Sequence, residues 1–144
     1  MNTTPLPPPG FGPTPRFGDF HDLVGPFYEK VIDENRYIVG VRVEPRHLNA
    51  GLNIHGGMYL TLADTAMTCA AARHAEKYGK CVTSTLSSEF LAAAQEGEWI
   101  EADVEVLKAG RKVIFVSCVV RRGRGGTEPL LRASATFVVK SRKA

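Results

Sequence analysis

The stretch that most constrains this chain runs from Met58 to about Tyr78, where no Pro or Gly interrupts a sequence rich in Ala, Leu and Met. This composition predicts one long helix, because these residues lose little on entering a helix and nothing breaks its hydrogen-bond ladder. The first half is apolar or small nearly all round, the pattern of a helix buried on most sides. One carboxylate, Asp64, falls within it and is expected to be buried, which is costly unless something solvates or uses it. Upstream, His55-Gly56-Gly57 opens the helix with two glycines that let a ligand approach backbone N–H groups at its positive end. An anion-stabilising terminus and an acid on one helix point to a catalytic element.

At 144 residues the chain fits one domain with a real core, and its 44% apolar and 23% charged content is ordinary for a globular protein. A net charge of +3 suits a small anionic ligand but falls short of the basic excess of a nucleic-acid binder. Three cysteines, Cys69, Cys81 and Cys118, form neither a CxxC pair nor an even framework, so reduced core thiols are expected. No apolar run reaches membrane-spanning length, and the N-terminus lacks a charged-then-apolar signal. The expectation is a cytoplasmic protein that engages neither membrane nor nucleic acid.

Residues 1–18 hold six of the nine prolines and read as an N-terminal arm, either a flexible leader or a segment lying across a partner subunit. Residues 19–144 form the folded domain. Asp19 is placed to cap a short helix through Val24, ended by Gly25-Pro26. Phe27 to Asp33 and Arg36 to Glu44 read as strands around a turn at Glu34-Asn35, with Tyr37, Val39, Val41 and Val43 on one buried face. After the helix, which stops near Gly79, strands are expected over Val82 to Leu91 and Trp99 to Lys108. Ala109-Gly110 turns into Lys112 to Arg122, whose Val, Ile and Phe content predicts burial on both faces. A loose loop over Arg122 to Gly126 precedes a last strand, Leu130 to Lys140. One long helix after two strands and before four, joined by short turns, predicts an α+β fold with an antiparallel sheet curled around the helix.

Asn49, five residues, His55-Gly56-Gly57, and Asp64 nine residues after the His form a spaced motif on one loop and helix. This motif resembles the active-site signature of the hotdog-fold acyl-CoA thioesterases, in the phenylacetate-degradation (PaaI-type) subgroup. The likeness covers about Val39 to Val139, including the Lys108-Ala109-Gly110-Arg111 hairpin. The resemblance implies a hydrolase that cleaves an acyl-CoA to the acid and free coenzyme A, without cofactor or metal. Asp64 would be the catalytic carboxylate, activating water or attacking the thioester itself. The Gly56 N–H would bind the oxyanion, Asn49 would help hold the carbonyl, and His55 would lie near the sulfur. Thr83 falls where relatives carry a water-positioning hydroxyl, while Ala92-Ala93-Ala94 replaces a segment where they often have Pro.

Arg111, Lys112, Arg121, Arg122 and Arg124 would suit the phosphates of coenzyme A, although charge runs on a hairpin usually face water. The depth of the acyl pocket would depend on the packing of Tyr59, Leu60, Met67 and the arm. Two other functions fit the same scaffold: an enoyl-thioester hydratase or dehydratase, and a non-catalytic acyl-CoA-binding protein. The first spaces its His and acid differently from His55 and Asp64; the second gains nothing from an acid that repels an anionic ligand.

Helix geometry adds an expectation about assembly. Gly56 and Asp64 are eight residues apart, hence about 12 Å in height and about 80° in direction on a regular helix. One helix cannot bring both to one carbonyl, whereas antiparallel helices from two chains can. The expectation is a homodimer with two shared sites, which could pair again into a tetramer.

Overall fold

Strict alternation builds the sheet. Tyr37, Val39, Val41 and Val43 are buried, as are Ile100, Ala102, Val104 and Val106 opposite them, so both strands turn one face to the core. In a computed structural model of the protein, which describes residues 6–123 and 125–141, these strands belong to one seven-stranded antiparallel sheet. The elements are β1 (Gly12–Pro13), α1 (Asp19–Val24), β2 (Tyr28–Val31), β3 (Arg36–Arg42), α2 (Gly56–Ala75), β4 (Gly79–Phe90), β5 (Trp99–Ala109), β6 (Val113–Arg122) and β7 (Pro129–Ser141). They lie across the sheet in the order β1-β2-β3-β5-β6-β7-β4, with α2 packed against β3 through β7. This is the hotdog fold, one helix held in a curled sheet.

Ten residues of α2 are buried, and five of them are alanines: Ala63, Ala66, Ala70, Ala71 and Ala75. Small side chains let the helix lie close on the strands, while Leu62, Met58 and Met67 supply bulk worth about 1.5–3 kcal/mol each. The helix ends at Ala75 rather than near Tyr78. The Tyr78 N–H turns back onto the Ala75 carbonyl at 2.8 Å, and Gly79 already opens β4.

Four other details depart from the sequence reading. A two-residue strand, β1, pairs Gly12 and Pro13 with Glu29 and Tyr28, so part of the arm extends the sheet. Phe11 packs edge-to-face on Trp99 at 5.3 Å. Asp19 does not cap α1; Gly18 occupies the cap position, and the Asp19 carboxylate accepts from Arg16 at 2.6 Å. Strand β6 is buried on one face only: Ile114, Val116, Cys118 and Val120 face α2, whereas Phe115 is 43% exposed on the side that no element covers.

Candidate active site

The loop before α2 is tied by its own side chains. Asn49 Oδ1 accepts from the Gly51 N–H at 2.9 Å and the Asn53 N–H at 3.2 Å, which leaves its Nδ2 group as the free donor. His55 is the N-cap of α2, and its Nδ1 accepts from the Gly57 N–H at 2.8 Å. A neutral His55 ring therefore carries its proton on Nε2. A Cβ at position 57 would stand 2.9 Å from that Nδ1, so glycine is what allows the cap. The next two N–H groups, of Met58 and Tyr59, bond to the His55 carbonyl. Among the described residues, the Gly56 N–H alone in this first turn has no partner, and it stands at the positive end of the helix dipole.

Asp64 corrects an expectation. It is half-buried, not buried, because it lies on a partly exposed strip of α2 with Thr61, Thr65 and Thr68. Its Oδ1 accepts from the Thr83 hydroxyl at 2.6 Å, which joins α2 to β4. The structure thus brings together Asp64 and Thr83 in one place, and Asn49, His55 and Gly56 in another, two helical turns away. A bulge between Thr83 and Thr85 shifts the β4 register directly beside the pair.

The basic residues do not form one cluster. Arg111 and Lys112 flank the start of β6, while Arg121 and Arg122 end it, about 30 Å away at ordinary strand rise. Arg121 lies 3.9 Å from Asp103, and Arg122 pairs with Glu98 at 3.3 Å and Glu128 at 2.8 Å. Arg111 lies over the Tyr78 ring, and neither it nor Lys112 has a carboxylate partner among the described residues. Arg124 lies outside the described residues.

One contributor carried no signal in the sequence, and another takes a different place from the one expected. Phe90, on β4, lies over Gly56, where an added Cβ would meet its Cε1 at 3.2 Å. Tyr59 donates to the Ala92 carbonyl at 2.9 Å and so holds the triple-alanine loop beside the helix start; burial pushes its hydroxyl up to about 12. The thiols behave as core residues: burial raises Cys69 and Cys118 to about 12. Cys81 is raised by burial first and then by the charge of nearby Asp64. Among the described residues, no three His, Cys, Asp or Glu side chains stand together as a metal site, and no helix is long and apolar enough to cross a membrane.

Comparison with known proteins agrees with this geometry. Residues 52–128 match the family model described as the thioesterase superfamily. A Pseudomonas aeruginosa protein named "Putative esterase" is 34% identical over 116 residues, spanning 81% of this chain and 87% of that protein. Thioesterase superfamily member 2 of zebrafish superposes with a TM-score of 0.74 at 26% identity, covering 88% of each chain. A hypothetical thioesterase of Streptococcus pneumoniae, solved with coenzyme A, superposes with a TM-score of 0.71 at 19% identity, covering 82% of this chain and 88% of that one.

Proposed function

The chain belongs to the thioesterase superfamily, and from that premise we propose that it hydrolyses acyl-CoA thioesters, in the manner of the PaaI-type subgroup. The observation that carries this reading is the Asp64–Thr83 hydrogen bond of 2.6 Å on a partly exposed strip of a helix that is otherwise largely buried. A core helix gains nothing in stability from an acid there, whereas a hydrolase needs one. Coenzyme A bound in the pneumococcal relative supports the choice of thioester.

The chemistry assigns each group one task. Asp64 Oδ2, which has no protein partner among the described residues, accepts a proton from water as the water oxygen adds to the carbonyl carbon. Thr83 donates to Oδ1, so its oxygen lone pairs remain free to accept from that water. The carbonyl oxygen becomes an oxyanion received by a Gly56 N–H and by Asn49 Nδ2. Collapse breaks the C–S bond; His55 Nε2–H donates to the departing sulfur, and the proton held by Asp64 returns to the thiolate through solvent. Arg111 and Lys112, free of carboxylates, are the cations proposed for the coenzyme phosphates.

The two groups of residues must come from two chains, for Gly56 and Asp64 remain about 12 Å apart along α2. Strand β4 supports this assembly. It is a 12-residue edge strand, paired only with β7, and its free edge presents unpaired backbone groups. Antiparallel pairing of two such edges across a two-fold axis would lay the two α2 helices side by side in opposite directions. The test combines activity with subunit mixing. Thiol release from acyl-CoA should be seen for the native protein, and Asp64→Asn and Gly56→Pro chains should each be inactive. Refolded together in equal amounts, half of the dimers are mixed and hold one intact site, so roughly a quarter of native activity should return. A mixture that stays inactive although mixed dimers form places the site within one chain.

A further inference from the structure

Below the Asp64–Thr83 pair, helix and strand run on as two facing rails. Asp64, Thr68 and Ala72 share one line of α2 at four-residue spacing, and Thr83, Cys81 and Gly79 share the facing side of β4 at two-residue spacing. Between the rails is a cleft of about 550 Å³, lined by Thr68, Ala72, Gly79 and Cys81 and, from the N-terminal arm, by Pro15 and Phe17. That is the size of a small-molecule site, ~300–1,000 Å³. One end of the cleft adjoins the reacting pair, since Thr68 lies one helical turn from Asp64 and Cys81 two residues from Thr83. Its end away from Asp64 is charged, with Arg73 and Glu76 at the end of α2 and Lys80 at the start of β4. Tyr59 and Met67, by contrast, are committed to the core at 3% and 0% exposure and cannot set its depth.

We propose that this cleft takes the acyl group and that Phe17 of the arm is the residue that limits its length; the inference rests on the thioesterase reading above. From Asp64 to Ala72 the helix rises about 12 Å. An extended hydrocarbon gains about 1.3 Å per carbon from bonds of about 1.5 Å, so about eight to ten carbons, or an aryl ring on a short linker, fill the cleft. A longer chain must displace Phe17 and then emerge among charges, losing the apolar contact that favours its binding. The substrate class is an aryl or medium-chain acyl-CoA. Phe17 is 40% exposed and packs edge-on against His21 at 5.5 Å.

The test is a series of acyl-CoAs from acetyl to hexadecanoyl, with phenylacetyl, followed by thiol release. Native protein should show highest kcat/KM for octanoyl, decanoyl or phenylacetyl groups. Phe17→Ala should raise the ratio of kcat/KM for hexadecanoyl over octanoyl about tenfold. Ala72→Phe, which fills the cleft from the helix side, should lower the ratio of octanoyl over acetyl about tenfold. A general loss of fold would lower every substrate and leave both ratios unmoved, and circular dichroism checks for it. Unchanged ratios in two folded, active variants overturn the inference, as does a native preference for hexadecanoyl-CoA. Native protein that hydrolyses no acyl-CoA at all overturns the thioesterase reading instead, and the inference with it.

Discussion

The two ends of the α2 chemistry are built in opposite ways. Around the helix start, the side-chain hydrogen bonds of the two candidate polar residues are local: those of Asn49 with Gly51 and Asn53, and of His55 with Gly57, span two to four residues. At Asp64 the fixing bond crosses 19 residues, from helix to strand β4, and β4 is an exposed sheet edge. The first region is organised by its own loop before anything binds. The second depends on tertiary packing and, in the proposed dimer, on what pairs with β4. Substitutions in the second region should therefore reveal chemistry with little local collapse, while those in the first mix chemistry with loop geometry.

The largest effect is expected at Asp64. Asp64→Asn keeps the shape and the acceptor for Thr83 but removes the base, and should lower kcat by about 10²–10⁴-fold while acyl-CoA still binds. Near-native turnover in that variant ends the assignment. Gly56→Pro is the matching change at the helix start, with an expected loss of about 10²–10³-fold in kcat. Proline suits the first helical position, and His55 before it is already extended at φ −65° and ψ 135°. Only the Phe90 ring must give way, so a folded but slow protein is expected, and full activity would show that another donor holds the oxyanion.

Asn49 separates the two influences within one residue. Asn49→Asp keeps the Oδ1 acceptor for Gly51 and Asn53 but removes the Nδ2 donor; kcat should fall about tenfold with thermal stability nearly unchanged. Asn49→Ala removes both and should also cost about 1 kcal/mol of stability. If the two variants are equally active and only the alanine is less stable, Asn49 serves the loop alone.

This contrast also explains what could be read from the sequence. The helix start was legible because its motif is contiguous, and the core faces of β3 and β5 were legible because Val41 and Val43, like Ala102 and Val104, alternate with charged residues. Residues joined through space were less so. Nothing near Phe90 in the chain indicates that its ring covers Gly56, and Arg111, Lys112, Arg121 and Arg122 look clustered until β6 separates them. Strand β1 has two residues and owes its place to the β2 edge, not to any pattern of its own. Asp64 was read as buried because its neighbours Leu62, Ala63, Ala66 and Met67 are; its own partial exposure comes from its place beside the sheet-edge strand β4, which the chain pattern does not show.

The smallest expected effect concerns what anchors the helix start from below. His47 is 3% exposed; its Nδ1 accepts from the Glu44 N–H at 3.0 Å, and its Nε2–H donates to the Val24 carbonyl at 2.7 Å. Its own carbonyl accepts from the His55 N–H at 2.8 Å, so it links the end of α1 to the cap of α2. Burial lowers its pKa below the ordinary value of 6.5; the hydrogen bond to Val24 opposes this in part, and the charge of Arg46 lowers it further against weaker raising effects of Glu44 and Arg42. The unfolded chain therefore takes up this proton at a higher pH than the folded one. The stabilisation is complete above pH 6.5 and is lost as pH falls from there through the lower folded value. One such group changes stability by at most about 1.4 kcal/mol per pH unit. Denaturation midpoints measured between pH 7.5 and 5.5, a window that lies above ordinary carboxylate titration (about pH 4), should fall on acidification in the native protein. In His47→Gln, which can donate and accept but does not titrate, the fall should be shallower from a lower starting stability. Equal slopes in the two proteins would move the pH sensitivity elsewhere and leave the helix start independent of this anchor.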